Sequence, residues 1–265
     1  MPAVPSLPDR LRAGPPALTA WCGLPDASVP ALLAREDFDA VTIDMQHGAI
    51  DFAATVRAIP LIAAAGKPAI VRVPVAEFAT ASRLLDAGAS GIIAPMINTI
   101  EDARRLAAFT KFPPLGERSW GPHGGLTVTG LAPGAYFAGA NGLAATFAMV
   151  ETREALAIVD DILAVEGVDA IFIGPSDLSI ALSNGRSLDP ASREVDEALD
   201  HAIARTRAAG KLIGVYAASG ARAAELVAKG FDLVALGSDS ALLRAGAQAA
   251  LKTVRETRSG AQGAY

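Results

Sequence analysis

Four short apolar runs in this sequence end in side chains that can do chemistry. Residues 146–150 stop at Glu151, and residues 170–173 run into Gly174-Pro175-Ser176-Asp177. The segment between them carries a helical pattern, so the whole reads as a strand, helix, strand unit of roughly thirty residues, which calls for parallel strands side by side. Both carboxylates then leave the sheet at the same end. Two hard oxygen ligands converging there suit a divalent cation, and in a parallel barrel that end is where active sites are built. Residues 40–44 end in Ile43-Asp44-Met45-Gln46-His47-Gly48, a spacing that lets Asp44 and His47 meet across a tight turn. An Asp-oriented imidazole exchanges protons near neutral pH. Residues 69–73 carry Arg72 inside an otherwise apolar run. An arginine there needs an anionic partner, because an unpaired buried charge is too costly.

Each group also has a structural reading. Asp44 can cap the next turn, with His47 a loop histidine. Arg72 can form an ion pair with Asp44 or Glu151, instead of a fork for a substrate carboxylate or developing oxyanion. Glu151 can be a first-turn acid and Asp177 an N-cap. The pairing of Glu151 and Asp177 at adjacent strand ends favours metal ligation over capping.

The elements that must position these groups repeat one theme. Residues 17–23, 40–44, 69–73, 91–94, 146–150, 170–173, 212–216 and 233–236 are short and mostly apolar, as expected of strands buried on both faces. Ala-rich amphipathic segments follow most of them, and Gly66, Gly88, Gly167, Gly210 and Gly230 precede the next strand as helix stop signals. Eight strands alternating with helices predict an α/β (β/α)8 TIM barrel over 17–254, with an N-terminal segment 1–16 and a polar, fraying tail 255–265. A doubly wound open sheet is the second architecture. Its nucleotide-binding form is weakened by the absence of any glycine-rich phosphate fingerprint after a strand. Residues 111–145 are too long and too rich in Gly and Pro for an ordinary connection, so they are expected to cover the site or contact a neighbouring subunit. Arg118 and Trp120 in that segment can shape the pocket mouth, with packing an equal reading for Trp120, while His123 has no assigned role. His201 falls on the polar side of a helix. The Ala-rich final helix, 240–254, closes the barrel or docks on another protomer.

The chain has 265 residues, 51% of them hydrophobic, and a formal net charge of −5. It is long enough for one large core, and it offers no basic footprint for nucleic acid. No apolar run reaches membrane-spanning length, and Pro2, Pro5, Asp9 and Arg10 interrupt any secretory segment. A cytoplasmic protein is expected. The single cysteine, Cys22, excludes an internal disulfide framework and reads as a buried, inert thiol.

Lysine placement bears on mechanism. A Schiff-base aldolase needs a lysine near the catalytic end of a strand. Lys67 and Lys211 instead precede their strands, Lys111 lies in the long connection, and Lys229 and Lys252 belong to helices. Metal-assisted chemistry remains, with Arg72 and a proton carrier beside the ion.

IDMQHG, VRVP, VETREAL and VEGVDAIFIGPSDLS, in this order and spacing, resemble the HpcH/HpaI family of metal-dependent pyruvate aldolases over about residues 19–251. The resemblance implies a divalent ion (Mg2+, Mn2+ or Co2+) held by Glu151 and Asp177, with pyruvate chelated through its carboxylate and keto oxygens. It implies that Arg72 stabilises the enolate oxygen, that His47 paired with Asp44 takes part in proton transfer, and that the Gly174-Pro175-Ser176 turn contacts pyruvate. Trp21, Met149 and Tyr216 would complete the substrate pocket, and the assembly would be a hexamer whose last helices exchange between protomers. The chain departs from the family pattern at Met149 and Gln46, which stand where glutamine and glutamate are common, and at Tyr216, often an aliphatic position. The substrates expected are a 2-oxo acid, pyruvate or hydroxypyruvate, and an aldehyde. The alternatives are an acyl-CoA thioester lyase of the same superfamily and a catalytically silent barrel that binds an oxo acid. A missing Lys/Arg cluster speaks against the first, and the retention of all five site residues against the second.

Overall fold

A computed structural model describes residues 6–262. Runs that are apolar on both faces can be satisfied only between two hydrophobic layers, and all eight become strands: β1 (Ala17–Cys22), β2 (Ala40–Asp44), β3 (Ala69–Arg72), β4 (Gly91–Ala94), β5 (Ala145–Val150), β6 (Ala170–Ile173), β7 (Leu212–Ala217) and β8 (Leu233–Ser238). Each pairs in parallel with the next, and β8 pairs with β1, closing the predicted barrel. Helices α1 (Leu7–Ala13), α2 (Ser28–Leu33), α3 (Phe52–Ala64), α4 (Phe78–Asp86) and α5 (Ile100–Thr110) accompany the first half. Then come α6 (His123–Thr129) and α7 (Pro133–Leu143), and after β5 the split pair α8 (Arg153–Ala157) and α9 (Val159–Ala164). The second half is completed by α10 (Pro175–Leu182), α11 (Arg193–Ala208), α12 (Gly220–Lys229) and α13 (Asp239–Gln262).

The strand-preceding glycines act as the sequence suggests: Gly66, Gly88, Gly167, Gly210 and Gly230 all have positive φ, between 65° and 103°. Outward-facing strand residues such as Val41, Val71, Ile92 and Ile171 form the main core with the helices. Inside the barrel, Ile70, Ile93, Phe147 and Phe172 are sealed from below by Leu7 and Leu11 of α1. The plug fits closely, since a Cβ added to Gly91 would lie 2.9 Å from Leu7 Cδ2. Helix α1, within the expected 1–16 segment, therefore belongs to the barrel's core, and residues 1–5 lie outside the described residues.

Residues 111–145 lie at the opposite end from the catalytic rim, contrary to the expectation that they cover the site. They link the end of α5 to the start of β5, both at the N-terminal face, so chain direction alone sends them there. The ends are tied down by the buried Lys111, whose Nζ donates to Asp169 Oδ2 at 2.6 Å and to the carbonyls of Asn141 and Ala144. Trp120 packs against Phe112, Tyr136 and Phe137, and Arg118 pairs with Asp86 at 2.6 Å and stacks over Phe112. Neither shapes the pocket mouth. His123 starts α6, and His201 is exposed on α11 as expected. Of the expected 255–265 tail, the chain as far as Gln262 is helical in α13, and residues 263–265 lie outside the described residues. Leu243, Leu251 and Val254 on α13 are exposed.

Candidate active site

Register brings the first two site residues together. Asp44 and Arg72 are direct partners across the β2–β3 ladder. Arg72 Nε donates to Asp44 Oδ1 at 2.8 Å and Nη2 to Oδ2 at 2.7 Å, a buried bidentate pair. Asp44 also accepts from Trp21 Nε1 at 3.2 Å and from the backbone N–H groups of Gln46 and His47 at 3.0 and 3.3 Å. Burial opposes the charged form, but the Arg72 fork and these N–H groups outweigh it and hold the carboxyl below its ordinary range. The guanidinium lies 4.9 Å from the Trp21 ring centroid. Among the described hydrogen bonds Nη1 has no partner, and Arg72 borders the cleft.

The expected Asp44–His47 side-chain pairing is not formed. Both Asp44 oxygens are taken by Arg72, Trp21 and the turn backbone, so its contact with His47 is to the main-chain N–H. The His47 side chain is exposed at the rim. The two structural readings, Asp44 as turn cap and Arg72 as its ion-pair partner, are both realised.

The second pair follows from the β5–β6 register, in which Val150 faces Ile173, so that Glu151 and Gly174 leave the sheet side by side. Glu151 is 1% exposed. Its Oε1 accepts from the Met96 N–H at 2.9 Å. Burial drives its pKa up to about 7; the Met96 N–H opposes this, the Asp177 charge adds to it, and Arg72 opposes it. Met96 holds φ at +55°, a left-handed conformation uncommon for a side chain of this kind. Gly174 is required by close approach, because a Cβ there would fall 2.5 Å from Glu151 Oε2 and 2.7 Å from Met149 Cε. Asp177 is exposed in the first turn of α10 and borders the cleft.

The cleft has a volume of about 390 Å³. Trp21, Asp44, His47, Arg72 and Met149 line it, as do Gly174, Pro175, Ser176, Asp177 and Tyr216. Glu151 alone of the predicted site residues lies beneath the lining, behind Gly174. Trp21 stacks on Phe172 with centroids 5.7 Å apart and meets Tyr216 edge-on at 5.5 Å. Burial pushes the Tyr216 phenol up, with Arg72 opposing and Asp44 reinforcing. No lysine lines the cleft. Cys22 is buried, its thiol pushed well up by burial and by the Asp239 charge.

A buried carboxylate whose pKa is raised partly by a second carboxylate, with one backbone donor and no basic side chain bonded to it, is a donor set that fits a divalent cation. Among the described residues no group of three or more His, Cys, Asp or Glu could hold a metal. The remaining ligands of an ion at Glu151 and Asp177 would come from substrate and water.

Sequence reasoning missed two contributors. Asp239 follows β8 and borders the cleft; the strand-end rule that singled out Glu151 would have found it. The Met96 N–H is set by backbone conformation, which no residue type at that position signals.

A family model described as HpcH/HpaI aldolase/citrate lyase matches residues 19–245. A hydroxypyruvate/pyruvate aldolase of Rhizorhabdus wittichii is 42% identical over 242 residues, covering 91% of this chain and 95% of that protein. A 4-hydroxy-2-oxo-heptane-1,7-dioate aldolase of Salmonella newport is 34% identical over 259 residues, covering 97% and 98%. Among solved structures, an HpcH/HpaI aldolase/citrate lyase family protein from Burkholderia cenocepacia matches with a TM-score of 0.84 at 32% identity, covering 94% of this chain and 99% of that one.

The Glu151 environment predicts a pH-dependent stability. Its folded pKa of about 7 exceeds the ordinary 4.5, so the folded state holds the extra proton and the metal-free protein loses stability as pH rises through that window, by up to about 3 kcal/mol. Glu151→Gln removes this penalty. In EDTA at pH 8 the variant should melt several degrees above the parent, a gap that closes near pH 5; equal melting at pH 8 would contradict the assignment.

Proposed function

Because the chain belongs to the HpcH/HpaI aldolase/citrate lyase family, we propose that it is a divalent-metal-dependent aldolase, a carbon–carbon lyase forming and cleaving 4-hydroxy-2-oxo acids from pyruvate or hydroxypyruvate and an aldehyde. The observation that carries this reading is the convergence of the Asp44-fixed Arg72 fork and the Glu151/Asp177 carboxylate pair on one cleft. Glu151 and Asp177 would hold a divalent ion, with Mg2+, Mn2+ and Co2+ as candidates, which would supply Lewis acidity at the substrate oxo group.

The chain's own residues do the rest. The turn Gly174-Pro175-Ser176 opens α10, which has no side-chain cap, so the N–H groups of its first turn are available to the substrate carboxylate. Arg72 donates an Nη1 N–H to the C2 oxygen as negative charge develops while a C3 proton passes to the neutral His47 imidazole, and Asp44 keeps the guanidinium from reorienting. Trp21, Met149 and Tyr216 exclude water from the reacting carbons. In the synthetic direction C3 bonds to the aldehyde carbon, the aldehyde π pair moves to its oxygen, and that oxygen takes a proton. His47, the titratable side chain exposed at the rim, is the donor, and in cleavage it takes the proton back.

A thioester lyase is supported less well, because among the described residues Arg72 is the sole Lys or Arg lining the cleft and it is engaged by Asp44, leaving the nucleotide phosphates of a CoA ester without a cation there. We also assign a cytoplasmic homo-hexamer with exchanged α13 helices. An interface along α13 is supported by the exposed Leu243, Leu251 and Val254, which recur at helical spacing.

Methyl-proton exchange of pyruvate in deuterated water tests the reading without knowledge of the aldehyde. Exchange should vanish with EDTA, return with Mg2+ or Mn2+, and fall by at least about 100-fold in Glu151→Ala or Asp177→Ala. Metal-independent exchange, or none with either pyruvate or hydroxypyruvate, would refute it. Light scattering should report a hexamer that Leu251→Asp dissociates; a monomer in solution would exclude the exchanged-helix assembly.

A further inference from the structure

One buried carboxylate in the cleft has no part in the chemistry above. Asp239, where β8 ends and α13 begins, is 4% exposed. Its Oδ2 accepts from the backbone N–H groups of Gly23 at 3.0 Å and Leu24 at 2.9 Å, and its Oδ1 from the Ser240 N–H at 2.8 Å. The carboxylate thus clamps the turn leaving β1 onto the start of α13.

That turn is in contact with the one that carries His47. Ala49 N–H donates to the Gly23 carbonyl at 2.8 Å. A Cβ on Gly48 would lie 2.2 Å from the Asp44 carbonyl oxygen and 2.7 Å from Gly23 Cα, and one on Gly23 would lie 3.1 Å from Gly48 Cα, so the His47 turn is packed tightly between Asp44 and Gly23. The His47 imidazole makes no hydrogen bond among the described residues. Its location is therefore set by the backbone of its turn, held by Asp44 on one side and by Gly23 on the other.

We propose that Asp239 is a positioning residue for His47: by clamping Gly23 and Leu24 it fixes the surface against which Gly48 and Ala49 rest, and so keeps the imidazole at the catalytic rim. The inference rests on the aldolase reading, in which His47 carries the proton of the aldol step. A displacement of about 1 Å at such a group can cost on the order of 100-fold in rate.

The test uses full-length, metal-loaded protein, pyruvate or hydroxypyruvate as nucleophile, and glycolaldehyde as probe aldehyde. Asp239→Ala should lower kcat for aldol addition by about 10- to 100-fold with KM for the oxo acid changed less than about 3-fold. Asp239→Asn, which keeps an acceptor oxygen, should recover most of the loss, and Gly23→Ala, whose Cβ would press on Gly48 Cα from 3.1 Å, should reproduce it. In a His47→Ala background, Asp239→Ala should cost less than about 3-fold more, because the group it positions is gone. Full additivity in that double mutant, or a loss that appears in KM alone, would overturn the proposal. Should Asp239→Ala fold poorly, the Gly23→Ala arm still decides: Gly23→Ala at parental kcat contradicts it. A parent protein that exchanges no pyruvate protons would instead refute the aldolase reading, a separate failure.

Discussion

The site depends on one constraint: Asp44 and Arg72 must be register partners on adjacent parallel strands. Because side chains alternate across a strand, a slip of one residue would send Arg72 out of the barrel and leave two uncompensated charges. Barrel closure fixes that register from both sides, since β2 and β3 are also held by β1 and β4. A buried ion pair is poor evidence of stability, because desolvation offsets much of the attraction. Its value here is geometric. Bidentate contact freezes a flexible side chain with one nitrogen left for a ligand, and losing either partner would strand a charge in the core at a cost of about 3–5 kcal/mol.

The two proposed metal ligands sit in opposite environments, and the difference is chemically useful. Asp177 is exposed on a helix turn, whereas Glu151 is sealed under Gly174 and held by one N–H from a strained Met96. A left-handed non-glycine residue costs of order 1 kcal/mol and persists where the surrounding structure demands it. The apoprotein thus carries both strain and a carboxylate reluctant to ionise. A cation bound there would relieve the second of these, and would link metal binding and stability through the same group.

Much of this was legible in the sequence because it is local. Eight apolar runs gave eight strands within a residue or two, and the glycines ahead of them adopt the left-handed φ expected. Strand-end position put Arg72, Glu151 and Asp177 at one end of the barrel, since chain direction in a parallel barrel places every such end on one face. What was not legible depends on contacts distant in sequence or on backbone conformation. Competition for the Asp44 oxygens by Arg72 and Trp21 removed the expected imidazole partner, which spacing alone could not reveal. The side on which residues 111–145 lie followed from chain direction and was open to deduction; the plug formed by Leu7 and Leu11 was not, because nothing local marks those leucines as barrel-filling. The match to the family was carried by motifs, while Asp239 and Met96 act through neighbours no motif covers.

The most direct measurement of the central claim, that Arg72 and the carboxylate pair together recognise the enolate form of the substrate, is calorimetric binding of oxalate, a planar dianion resembling pyruvate enolate. The account predicts that oxalate binds only with a divalent ion present, more tightly than pyruvate, and that Arg72→Lys weakens oxalate by about 10-fold or more while affecting pyruvate much less. Oxalate affinity that ignores the metal, or equal losses for both ligands on substitution of Arg72, would contradict it.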